Sequence, residues 1–178
     1  MNRDDLLAVI VSTLDDRGVE WEATGPYSVV ATLPGTRKLK TLCNLIVGDH
    51  ALRVEAFVMR QPDENRLELW TYLLRRNARL YGVAFSIDEH GDIYLMGRLP
   101  LHAITPEEID RILGAVLTYS DESFDAMLEI GFGSAIRREW AWRVARGESL
   151  ANLAAFRHLF PSGGPDSGAD GGQAPPAA

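Results

Sequence analysis

RLYGVAFSIDEHGDIYLMGRLP, residues 79–100, decides the fold because it reads as a finished β-hairpin. Val83, Phe85 and Ile87 alternate with Ala84, Ser86 and Asp88, and Ile93, Leu95 and Leu99 alternate with Tyr94, Met96 and Arg98. That is the period of a half-buried strand. Between the two runs, Glu89-His90-Gly91 supplies a polar loop, with glycine where a three-residue hairpin needs positive φ. Two strands cannot bury an apolar face alone, so the hairpin requires helices on that side and further strands at its edge.

The chain on either side supplies both. Residues 2–18 have Leu6, Ile10 and Leu14 at helical spacing, Asn2 as a cap, Asp4 and Asp5 in the first turn and Gly18 as a stop. Residues 21–24 and 27–33 read as strands around the turn signal Gly25-Pro26. Residues 34–40, PGTRKLK, form a basic loop expected to be a solvated turn. Residues 42–47 and 52–59 make a second hairpin around Gly48-Asp49-His50, with Leu52, Val54, Ala56 and Val58 on one face. Its other face carries Arg53 and Glu55 but also Phe57 and Met59, which implies a cover over that side. Residues 62–78 predict a helix opened by Pro62-Asp63 and apolar around much of its girth, with Leu67, Trp70 and Leu74 on one side and Arg75, Arg76 and Arg79 near its negative end.

After the hairpin, Thr105-Pro106-Glu107-Glu108 is a helix start, with Glu108 expected to complete a capping box. Helical spacing continues to Gly131, and residues 119–121 loosen the stripe enough to leave one helix or two abutting ones open. Residues 134–146 and a stretch from Ser149 that brings Leu153, Phe156 and Phe160 to the fold are further helices. The expected division is an ordered domain over residues 1–160 and a disordered Gly/Pro/Ala-rich tail over residues 161–178.

Composition narrows the function classes. Of 178 residues, 46% are hydrophobic and 24% charged, an ordinary globular balance with no apolar run long enough for a membrane helix. A cytoplasmic protein without membrane association is the simplest expectation. The formal net charge of −7 disfavours generic polyanion binding. A lone cysteine, Cys43, lies in a strand pattern and reads as a small buried hydrophobe.

No catalytic set is legible. His50, His90, His102 and His158 are far apart, and two of them sit at hairpin turns. Neither GxSxG, HExxH, a P-loop nor GxGxxG occurs, so neither a cofactor nor a metal is expected. Asp121, Asp125 and Glu129 form an acidic row at i, i+4, i+8, better explained as solvated or paired with arginines of another helix than as a cation site. Arg137, Arg138, Arg143 and Arg146 are interleaved with Trp140 and Trp142. Core packing accounts for Trp140. Trp142 with Arg138 and Arg146 has three readings, ranked intramolecular pairing, protein contact, then nucleic acid.

Several motifs carry a family resemblance: Leu80-Tyr81-Gly82-Val83-Ala84-Phe85 with Asp88 and Gly91, Ser120-Asp121-Glu122-Ser123-Phe124, Arg138-Glu139-Trp140, and Arg146-Gly147-Glu148-Ser149 with Asn152-Leu153. In these the chain resembles the YbjN-type family, described as bacterial sensory transduction regulators, in its actinobacterial form. The resemblance implies a fold similar to type III secretion chaperones, α-β-β-β-α-β-β-α, here with extra C-terminal helices, and it brings no catalytic residues. The expectation is therefore an α+β fold, a twisted antiparallel sheet with packed helices. It would serve as a non-enzymatic regulatory or chaperone-like protein that binds a protein or peptide partner, as a homodimer. Phe57, Met59, Trp70, Arg138, Trp142 and Arg146 are the candidate partner-binding or dimer-surface residues. The alternative is a nucleic-acid-binding regulator using the Arg/Trp-rich helix.

Overall fold

Six antiparallel strands form one sheet in the order β1-β2-β3-β4-β6-β5. The computed structural model describes residues 2–160, so the expected tail lies outside the described residues. The strands are β1 (Glu20–Gly25), β2 (Ser28–Pro34), β3 (Lys40–Val47), β4 (Ala51–Met59), β5 (Val83–Ile87) and β6 (Ile93–Pro100). Helices α1 (Arg3–Asp16), α2 (Arg66–Asn77) and α3 (Pro106–Arg146) all lie on one side of it. The α+β class, the antiparallel sheet and the four strands ahead of α2 are as the periodicity predicts, whereas the order that the resemblance implies has three strands there.

The core is the layer between sheet and helices. Val29 and Ala31 of β2, Cys43 and Leu45 of β3, Val54 and Ala56 of β4, and Leu95 of β6 point into it and meet Leu6 and Ile10 of α1, Leu69 of α2 and Ile112 and Val116 of α3. Cys43 is fully buried there, and burial pushes its thiol up to about 12. The hairpin between β5 and β6 closes as expected. Gly91 has φ 85°, its N–H donates to the Asp88 carbonyl at 3.0 Å, and the Asp88 carboxylate accepts from the N–H groups of His90 and Asp92. At the start of α1, Asn2 and Asp5 exchange side-chain and backbone hydrogen bonds in a complete capping box.

Several expectations are corrected. Residues 62–65 are not helical: α2 begins at Arg66, after Asn65 in the left-handed region at φ 51°. Its buried residues are Leu69 and Leu73, whereas Leu67 and Leu74 are exposed. Of the two possibilities left open at residues 119–121 the uninterrupted helix is found, and the departure from helical geometry at Phe132 falls between the stretches ending at Gly131 and starting at Ser134 that the spacing reads as separate helices. Thr105 does cap α3, accepting from the Glu108 N–H, but the Glu108 carboxylate turns away to accept from the Tyr81 hydroxyl at 2.8 Å. Beyond α3, Ala151–Leu159 forms a 3-10 helix that buries Phe156.

The bend at Phe132 has a definite cause. A helix that breaks leaves carbonyls and N–H groups without partners, and the segment preceding α2 supplies them. The N–H groups of Asp63 and Glu64 donate to the Gly131 carbonyl, and the Asn65 amide donates to the Ile130 carbonyl at 3.0 Å. On the far side of the bend, the Glu64 carboxylate accepts from the Ser134 N–H and, at 2.7 Å, from its hydroxyl. These bonds hold the Glu64 carboxyl below the usual carboxylate range, the Ser134 hydroxyl first and its N–H second.

Candidate partner-binding surface

The sheet face turned away from the helices is where the outward positions of the strands collect. Alternation sends Leu42 and Phe57 to that face on either side of the inward Cys43–Ala56 pair, and Phe57 pairs across the ladder with Tyr94. The two rings meet edge to face with centroids 5.5 Å apart. Leu42, Phe57 and Met96 remain 47%, 43% and 41% exposed, so this face carries uncovered apolar surface among Arg53, Glu55 and Arg98.

Met59 does not share that face. The β4–β6 register shifts between Phe57 and Met59, and the extra residue turns both Val58 and Met59 inward. Met59 is buried opposite Ile93 and contributes to a cavity floor rather than to the open surface. Strict alternation along the strand does not show this β-bulge.

The cavity, of about 870 Å³, lies where the end of β4 meets the loop between β2 and β3 and the middle of α3. Phe57, Phe124, Leu128 and Phe132 give it apolar walls, and Arg37, Lys38, Lys40 and Arg60 give it a basic rim. Leu39 at the loop tip is 86% exposed beside it. Arg60 is held by both carboxylate oxygens of Asp63, at 2.7 and 3.1 Å, and its guanidinium lies 4.4 Å from the centre of the Phe132 ring. Arg37 donates to the Glu122 carbonyl at 3.0 Å and stands 3.8 Å from Asp125. Lys38 donates to the Lys40 carbonyl, and burial lowers its ammonium below the usual lysine value. Among the described residues neither lysine has a carboxylate partner within ion-pair distance.

The loop is not a free solvated turn. One oxygen of Asp121 accepts the N–H groups of Thr36, Arg37 and Lys38 at 2.9, 2.7 and 2.9 Å. Partial burial raises the Asp121 carboxyl, but the three amides and Arg37 outweigh it and leave the group below its ordinary value. The acidic row of α3 is thus divided among separate partners: Asp121 and Asp125 serve the loop, and Glu129 meets His158 at 2.9 Å. Among the described residues no group of three or more His, Cys, Asp or Glu is placed to hold a metal ion.

The other candidates are scattered. Trp70 is half-buried on α2, with an indole N–H that has no partner. Trp142, 44% exposed, lies under the Arg146 guanidinium at 4.6 Å. Arg138 borders the same small depression as Trp142, near Glu139 and Glu148. None of these lines the cavity beside Phe57. Trp140 is not a core residue: it stacks on Phe160 at 4.1 Å, outside the main cluster. Arg143 is tied to Glu139 at 2.7 Å and to the Ser149 carbonyl, and among the described residues no arginine of this segment forms an ion pair with the acidic row. Sequence reading missed Phe124, Leu128 and Phe132 as cavity walls, because their helical spacing reads as ordinary core.

A family model named YbjN, described as "Putative bacterial sensory transduction regulator", matches residues 6–129. An uncharacterized protein of Mycobacterium tuberculosis (strain ATCC 25618 / H37Rv) is 56% identical over 137 residues, 77% of this chain and 75% of that protein. An uncharacterized protein of Mycobacterium leprae is 50% identical over 136 residues, 76% and 74% of the two chains. Among solved structures, the Yersinia pestis type III secretion chaperone SycH, in complex with a stable fragment of YscM2, is similar with a TM-score of 0.47 and 13% identity, over 65% of this chain and 96% of that one.

Proposed function

The chain belongs to the YbjN family, and from that premise we propose that it is a non-enzymatic, cytoplasmic regulatory protein that binds an extended segment of a protein partner and acts as a homodimer. The observation that carries this reading is the cavity beside Phe57, apolar in its walls and basic at its rim on a chain of net charge −7. Such a site fits a peptide whose apolar side chain seats against Phe124 and Leu128 while acidic neighbours meet Lys38 and Lys40. The adjoining outward residues Leu42, Phe57 and Met96 supply an apolar patch for an isologous contact between two copies. Cys43 is no candidate nucleophile, because burial pushes its thiol up to about 12 and leaves almost no thiolate near neutral pH.

The test compares the full chain with Phe57→Arg. Sedimentation equilibrium reads self-association, and a displayed library of random peptides reads capture. A dimer split by the substitution, with loss of enriched peptides rich in apolar and acidic residues, supports both parts. If both properties survive the substitution, the Phe57 surface is not the binding site and the reading falls.

A further inference from the structure

A second cavity, of about 1080 Å³, opens between α2 and α3 on a different part of the surface. Its apolar lining includes Tyr72, Leu80 and Tyr119, and its basic lining includes Arg75, Arg76 and Arg79. Arg75 and Arg79 are one turn apart, so their guanidiniums leave α2 on the same side. Both are exposed, and among the described residues neither has an ion-pair partner. Arg76 is more deeply placed. It stands 3.6 Å from Glu122, beyond hydrogen-bond distance, lies 5.8 Å from the centre of the Tyr72 ring, and has a buried Nε–H with no partner. The Tyr119 hydroxyl accepts from the Tyr81 N–H at 3.1 Å and retains its own proton to donate.

The arginines near the last turn of α2 also complement the helix dipole, but that role needs no cavity, no unsatisfied Nε–H and no adjoining tyrosines. Guanidiniums with unused donors recognise phosphate by paired N–H···O bonds. Tyrosine faces beside them accept a flat ring by stacking. We propose that this groove binds a nucleoside phosphate, its phosphate held by Arg75, Arg76 and Arg79 and its base against Tyr72 and Tyr119. Glu68 is the acidic member of the lining and lies about 10 Å along the helix from Arg75, and Glu122 pairs with Arg76 at 3.6 Å, so the unpaired Arg75 and Arg79 are what keep the phosphate end basic. This site is independent of the partner cavity at Phe57, with which it shares no lining residue.

Calorimetric titration of the full chain with adenosine monophosphate, inorganic phosphate and adenosine tests it. Adenosine monophosphate is expected to bind about tenfold or more tightly than inorganic phosphate, with adenosine weaker still. The double variant Arg75→Ala/Arg79→Ala changes exposed residues, so its thermal unfolding should match the parent while its affinity for the nucleotide falls about tenfold or more. Tyr119→Phe keeps the ring, loses the hydroxyl donor, and should weaken binding by a smaller factor. Absence of nucleotide binding at millimolar concentration, equal affinity for inorganic phosphate, or binding unchanged in the double variant overturns the assignment. None of these readouts involves peptide capture or self-association, so failure here leaves the Phe57 reading intact, and the reverse holds.

Discussion

The side chain of Asn77 pairs with the backbone of Phe85 as a neighbouring strand would. The Phe85 N–H donates to Asn77 Oδ1 at 2.7 Å, and Asn77 Nδ2 donates to the Phe85 carbonyl at 3.1 Å. β5 is the last strand of the sheet, and Phe85 sits at its middle, paired on the other side with Leu95. The end of α2 thus closes a strand edge that otherwise offers a template for another chain.

Asn77→Leu keeps the size of the side chain and removes both bonds. Leaving two half-buried backbone groups unpaired should destabilise the fold by about 1–3 kcal/mol, or roughly 2–4 °C in Tm for each kcal/mol in a chain of this size. Thermal unfolding by circular dichroism measures the loss, and light scattering at rising concentration measures association through the opened edge. An unchanged Tm would show that water replaces the amide without penalty.

Asp121→Ala should release the basic loop. It removes the acceptor of three backbone N–H groups, at an expected cost of about 1–2 kcal/mol for a carboxylate that is partly exposed. Asp121→Asn retains a carbonyl acceptor and should lose less. Amide exchange at Thr36, Arg37 and Lys38 reads the effect directly, and unaltered protection in the Ala variant would contradict it.

Acid should loosen the junction between residues 63–65 and the bend in α3. The carboxyls of Glu64 and Asp121 both titrate below their ordinary values in the folded chain. Their contribution is therefore fully present above the unfolded carboxylate range, near pH 4, and is lost as pH falls through the lower folded values. Stability against urea should show no slope from these two groups between about pH 8 and 5 and should drop below about pH 4. Glu64→Gln, which cannot titrate there, should give a shallower acid limb. Equal slopes would mean that the Ser134 bonds do not distinguish the ionised carboxylate.

Gly131→Ala places a methyl group against Pro62, since a Cβ built at Gly131 falls 2.8 Å from Pro62 Cβ. Both residues are buried, and the Pro62 segment is bonded through Asp63 and Glu64 to the Gly131 carbonyl, so the clash has little room to relax. Destabilisation of about 1–3 kcal/mol is expected from overpacking alone. Urea denaturation measures it, and a neutral result would show that the segment moves freely away from the bend.

Local signals were legible without a structure. Asn2 and Thr105 cap helices because a side-chain oxygen reaches an amide two or three residues on. The β5–β6 hairpin follows from alternation and Gly91, and Cys43 falls inside because the period of its strand places it there. In each case the partners are near in sequence or the periodicity repeats over several residues.

What tertiary structure decided are contacts between distant residues and departures of one residue from a regular period. Residues 62–65 read as a helix start, yet Asp63, Glu64 and Asn65 serve a bend some 70 positions later, and the gain of bonding those freed groups outweighs their helical propensity. Asp121 looked like part of an acidic row, and only the approach of residues 36–38 gave it amide partners. Met59 lost its outward place to a single extra residue in the β4–β6 ladder, which flips every side chain beyond it. The amino-acid sequence by itself determined the elements, their amphipathic faces and most of the core, because those depend on short-range chemistry and period. Closure of the sheet edge by Asn77 needs the turn that brings β5 back along the end of α2, and the bonds across the bend at Phe132 and both cavities arise only when elements remote in sequence meet.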